Sequence, residues 1–240
     1  MDQNPLIDKI VAEVAARMET ARADLAACID LTLLRPEADN AALDRLCRQA
    51  MEYRFSGVCV NSGRTAYVSR RLQGSAVTTC SVVGFPLGAM ASRSKAFEAR
   101  EAVSDGAAEI DMVINVGLLK SGDYRAVEQD IRAVRRATRS RTILVVIVET
   151  VFLTPEQKVL ACELSRKAGA DAVATATGFL GGGATVEDIT LMRRVVGKGL
   201  GVKASGGVRT FKDAIAMIGA GATRIGSQAG VAIVGGLGGG

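Results

Sequence analysis

A chain of 240 residues, 48% hydrophobic and 23% charged, has the make-up of one ordinary globular domain: long enough for a large α/β barrel, too short for a second full domain. Its net charge of +5 is dispersed through segments such as "RRLQ", "RAVRRATRSR" and "LMRRVVGKG" at helical spacing. With 4% aromatic residues and no Trp there are few stacking platforms, which argues against a nucleic-acid partner.

The first 27 residues, "MDQNPLIDKIVAEVAARMETARADLAA", mix acids with an amphipathic period, so a helical extension over residues 1–25 is expected rather than a secretion signal or a membrane span. Strands then follow at Cys28–Leu33, Gly57–Asn61, Thr78–Val83, Glu109–Asn115, Ile143–Glu149, Asp171–Thr175, Gly201–Ala204 and Thr223–Gly226, each a short apolar run. Between them the spacing predicts helices near Ala41–Tyr53, Thr65–Leu72, Ser92–Ser104, Tyr124–Thr138, Pro155–Ala168, Val186–Val196 and Phe211–Ile218. Thr154 before Pro155 and Thr185 before "VED" read as helix N-caps, and the "GA" pairs at Gly106, Gly169 and Gly221 as helix ends feeding strands. Residues 235–240 form a Gly-rich tail. Eight strands alternating with helices predict a single (β/α)8 TIM barrel over residues 1–240; an open doubly wound sheet is the alternative, but no G-x-G-x-x-G follows the first strand.

In a barrel of this kind chemistry gathers at the C-terminal ends of the strands. The Gly-rich stretches "GFPLG", "TGFLGGGAT", "SGGVR" and "GSQAG" fall there, after strands three, six, seven and eight. Backbone amides in the last two loops, with a short helix N-terminus, make the usual phosphate cradle of this fold. The five cysteines, Cys28, Cys47, Cys59, Cys80 and Cys162, are odd in number and never spaced C-x-x-C, so neither a disulfide framework nor a zinc knuckle is indicated and reduced cytoplasmic thiols are expected. Cys59 and Cys80 lie on or beside strands, where buried inert thiols are the ordinary expectation. No His occurs, which removes the commonest metal ligand, the commonest general base and every Ser-His or Cys-His pair.

The stretches "VVGFPLGAM", "EAREAVSDGAAEIDMVINVGLLKSGDY", "VETVFLTPEQKVLACELSRKAGAD", "TGFLGGGATVEDITLMRRVVG" and "GVKASGGVRTFKDAIAMIGAGATRIG" together resemble the deoxyribose-phosphate aldolase family, in register from "IDLTLLRPEA" to "GVAIV". The resemblance implies a TIM barrel and a class I aldolase: a Lys forms a Schiff base with the substrate carbonyl, an acid–base network moves the proton, and no metal or cofactor is needed. It also implies a small-molecule substrate and assembly of several copies. By the same resemblance, Asp111 in "EIDMVIN" corresponds to the catalytic Asp and Lys203 in "GVKASGG" to the second active-site Lys.

The departures from the family pattern are concentrated. Where the family resembles "VKTSTGF" this chain has "VATATGF", so Ala174 stands in the Schiff-base position, and a methyl group forms no imine. Leu31 replaces a His, Val145 a Lys and Ala172 an aromatic; Gln228 and Ala229 replace hydroxyls of the phosphate cradle. If position 174 points inward, strand parity turns Ala172 and Ala176 inward with it, and by the same parity Val145, Ile147 and Glu149 face the interior together. The expected substrate contacts are therefore Leu31, Val145, Ala172, Ala174, Ala176, Gly206, Gly207, Ser227 and Gln228, with Asp111, Lys203 and Glu149 as catalytic candidates. For Glu149 a structural contact at the strand end is the stronger alternative.

Losses confined to one wall suggest a pocket repurposed by divergence or, preferably, by design, for a larger and less charged ligand in an enlarged, drier cavity. Three readings stand. Asp111 works as acid–base group with Lys203 as polar partner; or Lys203 serves a rerouted aldolase as Schiff-base amine; or the barrel is an inactive scaffold or binder, its Asp111–Lys203 pair a structural relic. Asp111 favours the charged form of Lys203 while burial opposes it, so the sequence leaves both roles of the amine open. Cleavage of deoxyribose 5-phosphate is expected to be very weak or absent.

Overall fold

In the computed structural model, which describes residue 17 and residues 19–236, the alternating pattern closes into a barrel. Eight parallel strands follow in chain order: β1 (Ile29–Leu33), β2 (Gly57–Val60), β3 (Thr78–Val83), β4 (Glu109–Val113), β5 (Ile143–Ile147), β6 (Ala172–Ala174), β7 (Gly201–Ser205) and β8 (Arg224–Ser227), and β8 pairs back onto β1. Around them lie α1 (Asn40–Glu52), α2 (Thr65–Leu72), α3 (Ser92–Ser104), α4 (Val116–Lys120), α5 (Tyr124–Ala137), α6 (Pro155–Ala168), α7 (Val186–Val196), α8 (Phe211–Gly219) and α9 (Gly230–Gly235). This is the (β/α)8 architecture that the alternation predicts. Of the N-terminal extension, residue 17 and residues 19–26 are helical; the rest of it, like residues 237–240 of the Gly-rich tail, lies outside the described residues.

The local signals act as their chemistry requires. Thr154 and Gln157 form a reciprocal capping box in front of α6, and the Thr185 side chain accepts the Asp188 amide at 3.1 Å. Gly106, Gly169 and Gly221 take φ of 102°, 89° and 111°, the left-handed conformation that ends a helix cheaply only in glycine.

Two strands stop two residues earlier than the apolar runs suggest, and β2 and β6 stop one residue earlier. β4 ends at Val113 because Asn115 turns the chain into α4, its side-chain oxygen accepting the Leu118 amide at 3.1 Å. β5 ends at Ile147 because Glu149 enters the left-handed region, φ 56°, and begins a 3-10 turn over Thr150–Phe152. Helices α4 and α9 span five and six residues, too short to show a helical period, and the sequence reading did not anticipate them.

Parity sorts the strand side chains. Ile29, Val58, Val60, Ile110, Met112, Leu144, Val146, Val173, Val202 and Ile225 point outward into a continuous apolar layer with Leu43, Val68, Ile131, Cys162 and Ile189 of the helices. Each such residue contributes roughly 1.5–3 kcal/mol on burial. The alternate residues fill the interior, and there the layer is not uniformly apolar.

Candidate active site

The inward positions of β1, β4, β7 and β8 carry charge. The Lys203 ammonium donates to Glu109 Oε1 at 2.9 Å and Asp111 Oδ2 at 2.7 Å and forms an ion pair with a third buried carboxylate, Asp30 Oδ2, at 2.7 Å. The Arg224 guanidinium closes the group, bridging Asp30 Oδ1 and, at 3.3 Å, Glu109 Oε2. Burial alone would pull the Lys203 ammonium down, but Asp111, Asp30 and Glu109 outweigh it and hold it well above the ordinary lysine value. Burial likewise opposes the charge on Arg224, and Asp30 and Glu109 more than restore it. Lys203 is therefore a protonated donor, locked by three partners.

Above this layer opens a cavity of ≈ 320 Å³. Asp111 and Lys203 reach its floor; Leu34, Val82, Phe85, Ile147 and Phe179 give it apolar walls, with Phe85 and Phe179 edge to face at 5.2 Å. The loops after β6, β7 and β8 form the rim through Ala176, Gly178, Gly206, Gly207, Ser227 and Gln228. These loops are tightly joined: a Cβ on Gly206, whose φ is 87°, would lie 3.1 Å from Gly183 Cα and 3.3 Å from Gly178 Cα. The Ser227 hydroxyl donates to Val208 O at 2.6 Å and accepts the Ala229 amide at 3.0 Å, so it braces the rim.

Ala174 lies opposite Ile147 on β5 and opposite Lys203 on β7. With Val113, Val145, Ile147 and Ala172 it forms a closed apolar cluster packed by Phe85, and Ala174 is 0% exposed. Val145, Ala172 and Ala174 thus share one interior patch as parity requires. They do not line the cavity, however: Ile147 and Phe85 belong both to the cluster and to the cavity wall, and they cover it. At these positions the interior is filled by dry packing and adds nothing to the cavity wall.

Three expectations need correcting. Leu31 is not on the pocket side: Asp30 takes the inward position of β1, which turns Leu31 into the layer between barrel and helices, where a Cβ on Gly230 would meet its Cδ1 at 2.8 Å. Glu149 does not reach the cavity; its Oε2 accepts the Thr177 amide at 3.1 Å, and burial raises its carboxyl against that hydrogen bond, the strand-end contact described as the alternative. Asp111 is not accompanied by Glu149 as the inward carboxylate but by Asp30 and Glu109. The signal was present, since alternation places Glu109 on the same side as Asp111, two residues away. Arg209, inside the "SGGVR" loop, also lines the cavity and was passed over among the glycines. Cys59 reaches the cavity, and Cys80 stands beside it with sulfurs 3.4 Å apart.

Comparison with known proteins places this geometry. Residues 13–235 match the DeoC/LacD family aldolase profile. The deoxyribose-phosphate aldolase of Clostridium perfringens (strain SM101 / Type A) is 54% identical over 209 residues, covering 87% of this chain and 93% of the relative. Deoxyribose-phosphate aldolase 1 of Bacillus licheniformis is 54% identical over 213 residues, 89% of this chain and 96% of its own. Among solved structures, the tetrameric deoxyribose phosphate aldolase of Aeropyrum pernix superposes with a TM-score of 0.85 at 32% identity, covering 93% of this chain and 96% of that one. On its barrel, its interior charge layer and these matches, the chain belongs to the DeoC/LacD family of aldolases.

Proposed function

We propose that this family member has lost the imine-forming step and that its cavity holds a small molecule bulkier and more apolar than a sugar phosphate, with Asp111 as acid–base group and Lys203 as the polar partner that fixes it. The observation that carries this reading is the state of the amines. Ala174 offers none, and Lys203, the one amine among the described residues lining the cavity, is held charged by three carboxylates. An ammonium has no lone pair to attack a carbonyl. It does donate hydrogen bonds, so it supports an oxyanion or a ligand oxygen brought to the floor.

Asp111 borders both the ammonium and the cavity, with Oδ1 free of any hydrogen-bond partner, which suits it to accept or return a proton. The apolar walls suit a ligand with a hydrocarbon face, and Gln228 supplies an amide where the family has a hydroxyl. Redesign of the inner wall accounts for replacements that spare helices and turns. The reading is of a single-domain cytoplasmic barrel acting on a small molecule, in an assembly of copies like its tetrameric relative.

Borohydride trapping tests it. Incubation with acetaldehyde and reductant should leave the mass of the protein unchanged at Lys203. A reduced adduct there, lost in Lys203→Ala, would overturn the proposal in favour of a rerouted Schiff-base aldolase. An unchanged rate of Asp111→Asn on a converted substrate would remove Asp111 as the base.

A further inference from the structure

Cys59 on β2 and Cys80 on β3 are direct register partners on the barrel's inner face. Their sulfurs are 3.4 Å apart, and Cys59 Sγ lies 4.0 Å from Asp111 Oδ2; donor atoms of all three residues fall within 4.8 Å of one another. We propose that Cys59, Cys80 and Asp111 form a binding site for a thiophilic divalent cation of the Zn²⁺ type, open to the cavity at its fourth position.

The spacing fits. Tetrahedral zinc with Zn–S of about 2.3 Å and Zn–O of about 2.0 Å sets S···S at about 3.8 Å and S···O at about 3.5 Å, so the Cys59–Cys80 and Cys59–Asp111 separations lie within about half an ångström of those values. Charge fits as well. Asp30, Glu109 and Asp111 face two cations, Lys203 and Arg224, which leaves one negative charge in excess. Binding follows M²⁺ + 2 R–SH → M(S–R)₂ + 2 H⁺, so the cation replaces two protons and the net charge of the layer is unchanged. Asp111 Oδ2, the oxygen beside Cys59, also pairs with Lys203, while Oδ1 is buried without a partner, so the carboxylate keeps an open acceptor.

Access is by the cavity, which Cys59 and Asp111 line while Cys80 stands fully buried beside them. Uptake by two thiols releases two protons. The two sulfurs and one carboxylate, with no His, favour zinc or cadmium over calcium or magnesium. The site rests on this geometry, and a metal held by the Asp111 carboxylate withdraws it from proton transfer, so the occupied site and the acid–base role exclude one another.

The test is titration of the metal-free, fully reduced chain with Cd²⁺, following thiolate-to-metal charge-transfer absorption in the ultraviolet and proton release in weak buffer. One equivalent should bring up the band with release of two protons. Cys59→Ser and Cys80→Ser should each diminish it, and Cys162→Ser, whose thiol lies in the outer layer, should keep it. No band in the reduced wild-type chain, or a band undiminished in both Ser variants, overturns the site. Circular dichroism checks that the variants fold. Where a Ser variant does not, the wild-type X-ray absorption spectrum decides: two sulfur neighbours support the site and fewer than two reject it.

Discussion

Replacing Lys203 with Met keeps most of the stem and removes the one ammonium that three carboxylates share. Arg224 still reaches Asp30 and Glu109, but Asp111 has no other cation within salt-bridge distance, and its Oδ1 is already unpartnered. Breaking a buried pair from one side costs roughly 3–5 kcal/mol because a charge is left uncompensated in the interior. In a chain of this size each kcal/mol moves the midpoint by about 2–4 °C, so Tm should fall by roughly 6–20 °C. The assay is thermal unfolding by far-ultraviolet circular dichroism of metal-free wild type and variant at neutral pH. The raised pKa of Lys203 fixes the pH window: its contribution is complete below the unfolded-state value of 10.5 and fades only as pH climbs through the higher folded value. The gap between the two proteins should accordingly be constant across neutral pH and narrow in strong alkali. A variant within about 4 °C of wild type, equivalent to about 1–2 kcal/mol or less, would refute the view that this layer is held by the ammonium.

Two further substitutions probe the neighbouring positions. Burial raises the Glu149 carboxyl above its ordinary 4.5, so its contribution is greatest below that value and is lost as pH rises through the raised one; Glu149→Gln, which keeps an acceptor for the Thr177 amide, should flatten that decline in urea titrations run from acid to neutral pH, and an identical slope in both proteins would count against it. Ala174→Lys places a second amine in the apolar cluster beside Lys203, where burial and like charge depress its pKa. Overpacking should cost roughly 1–3 kcal/mol, yet acetaldehyde and borohydride should now label the variant at position 174 and not the wild type. Equal labelling of both would show that an amine other than the one at 174 is reactive.

Much of the barrel was legible because it rests on local regularities. Alternation of apolar runs with amphipathic stretches, Thr154 and Thr185 before helices and glycines after them each act within a few residues, so their order could be read off the chain. That position 174 is Ala, with no amine to offer, is equally plain in the letters. The site was legible only in part. Asp111 and Lys203 were recognised, whereas Asp30, Glu109 and Arg224 come from strands separated by up to 194 positions, and no local pattern pairs them.

The sequence by itself determined the strand and helix order and the absence of any imidazole, because these depend on residue identity and short-range spacing. Tertiary structure decided the direction and company of each inward side chain. A one-residue difference in where β1 turns inward exchanged Leu31 for Asp30, and the left-handed backbone at Glu149 carried its carboxyl to Thr177 instead of the cavity. Closure of β8 onto β1 then set Lys203 among three carboxylates, and the sum of those charges against burial is a property of their distances in space, which separation along a chain does not encode.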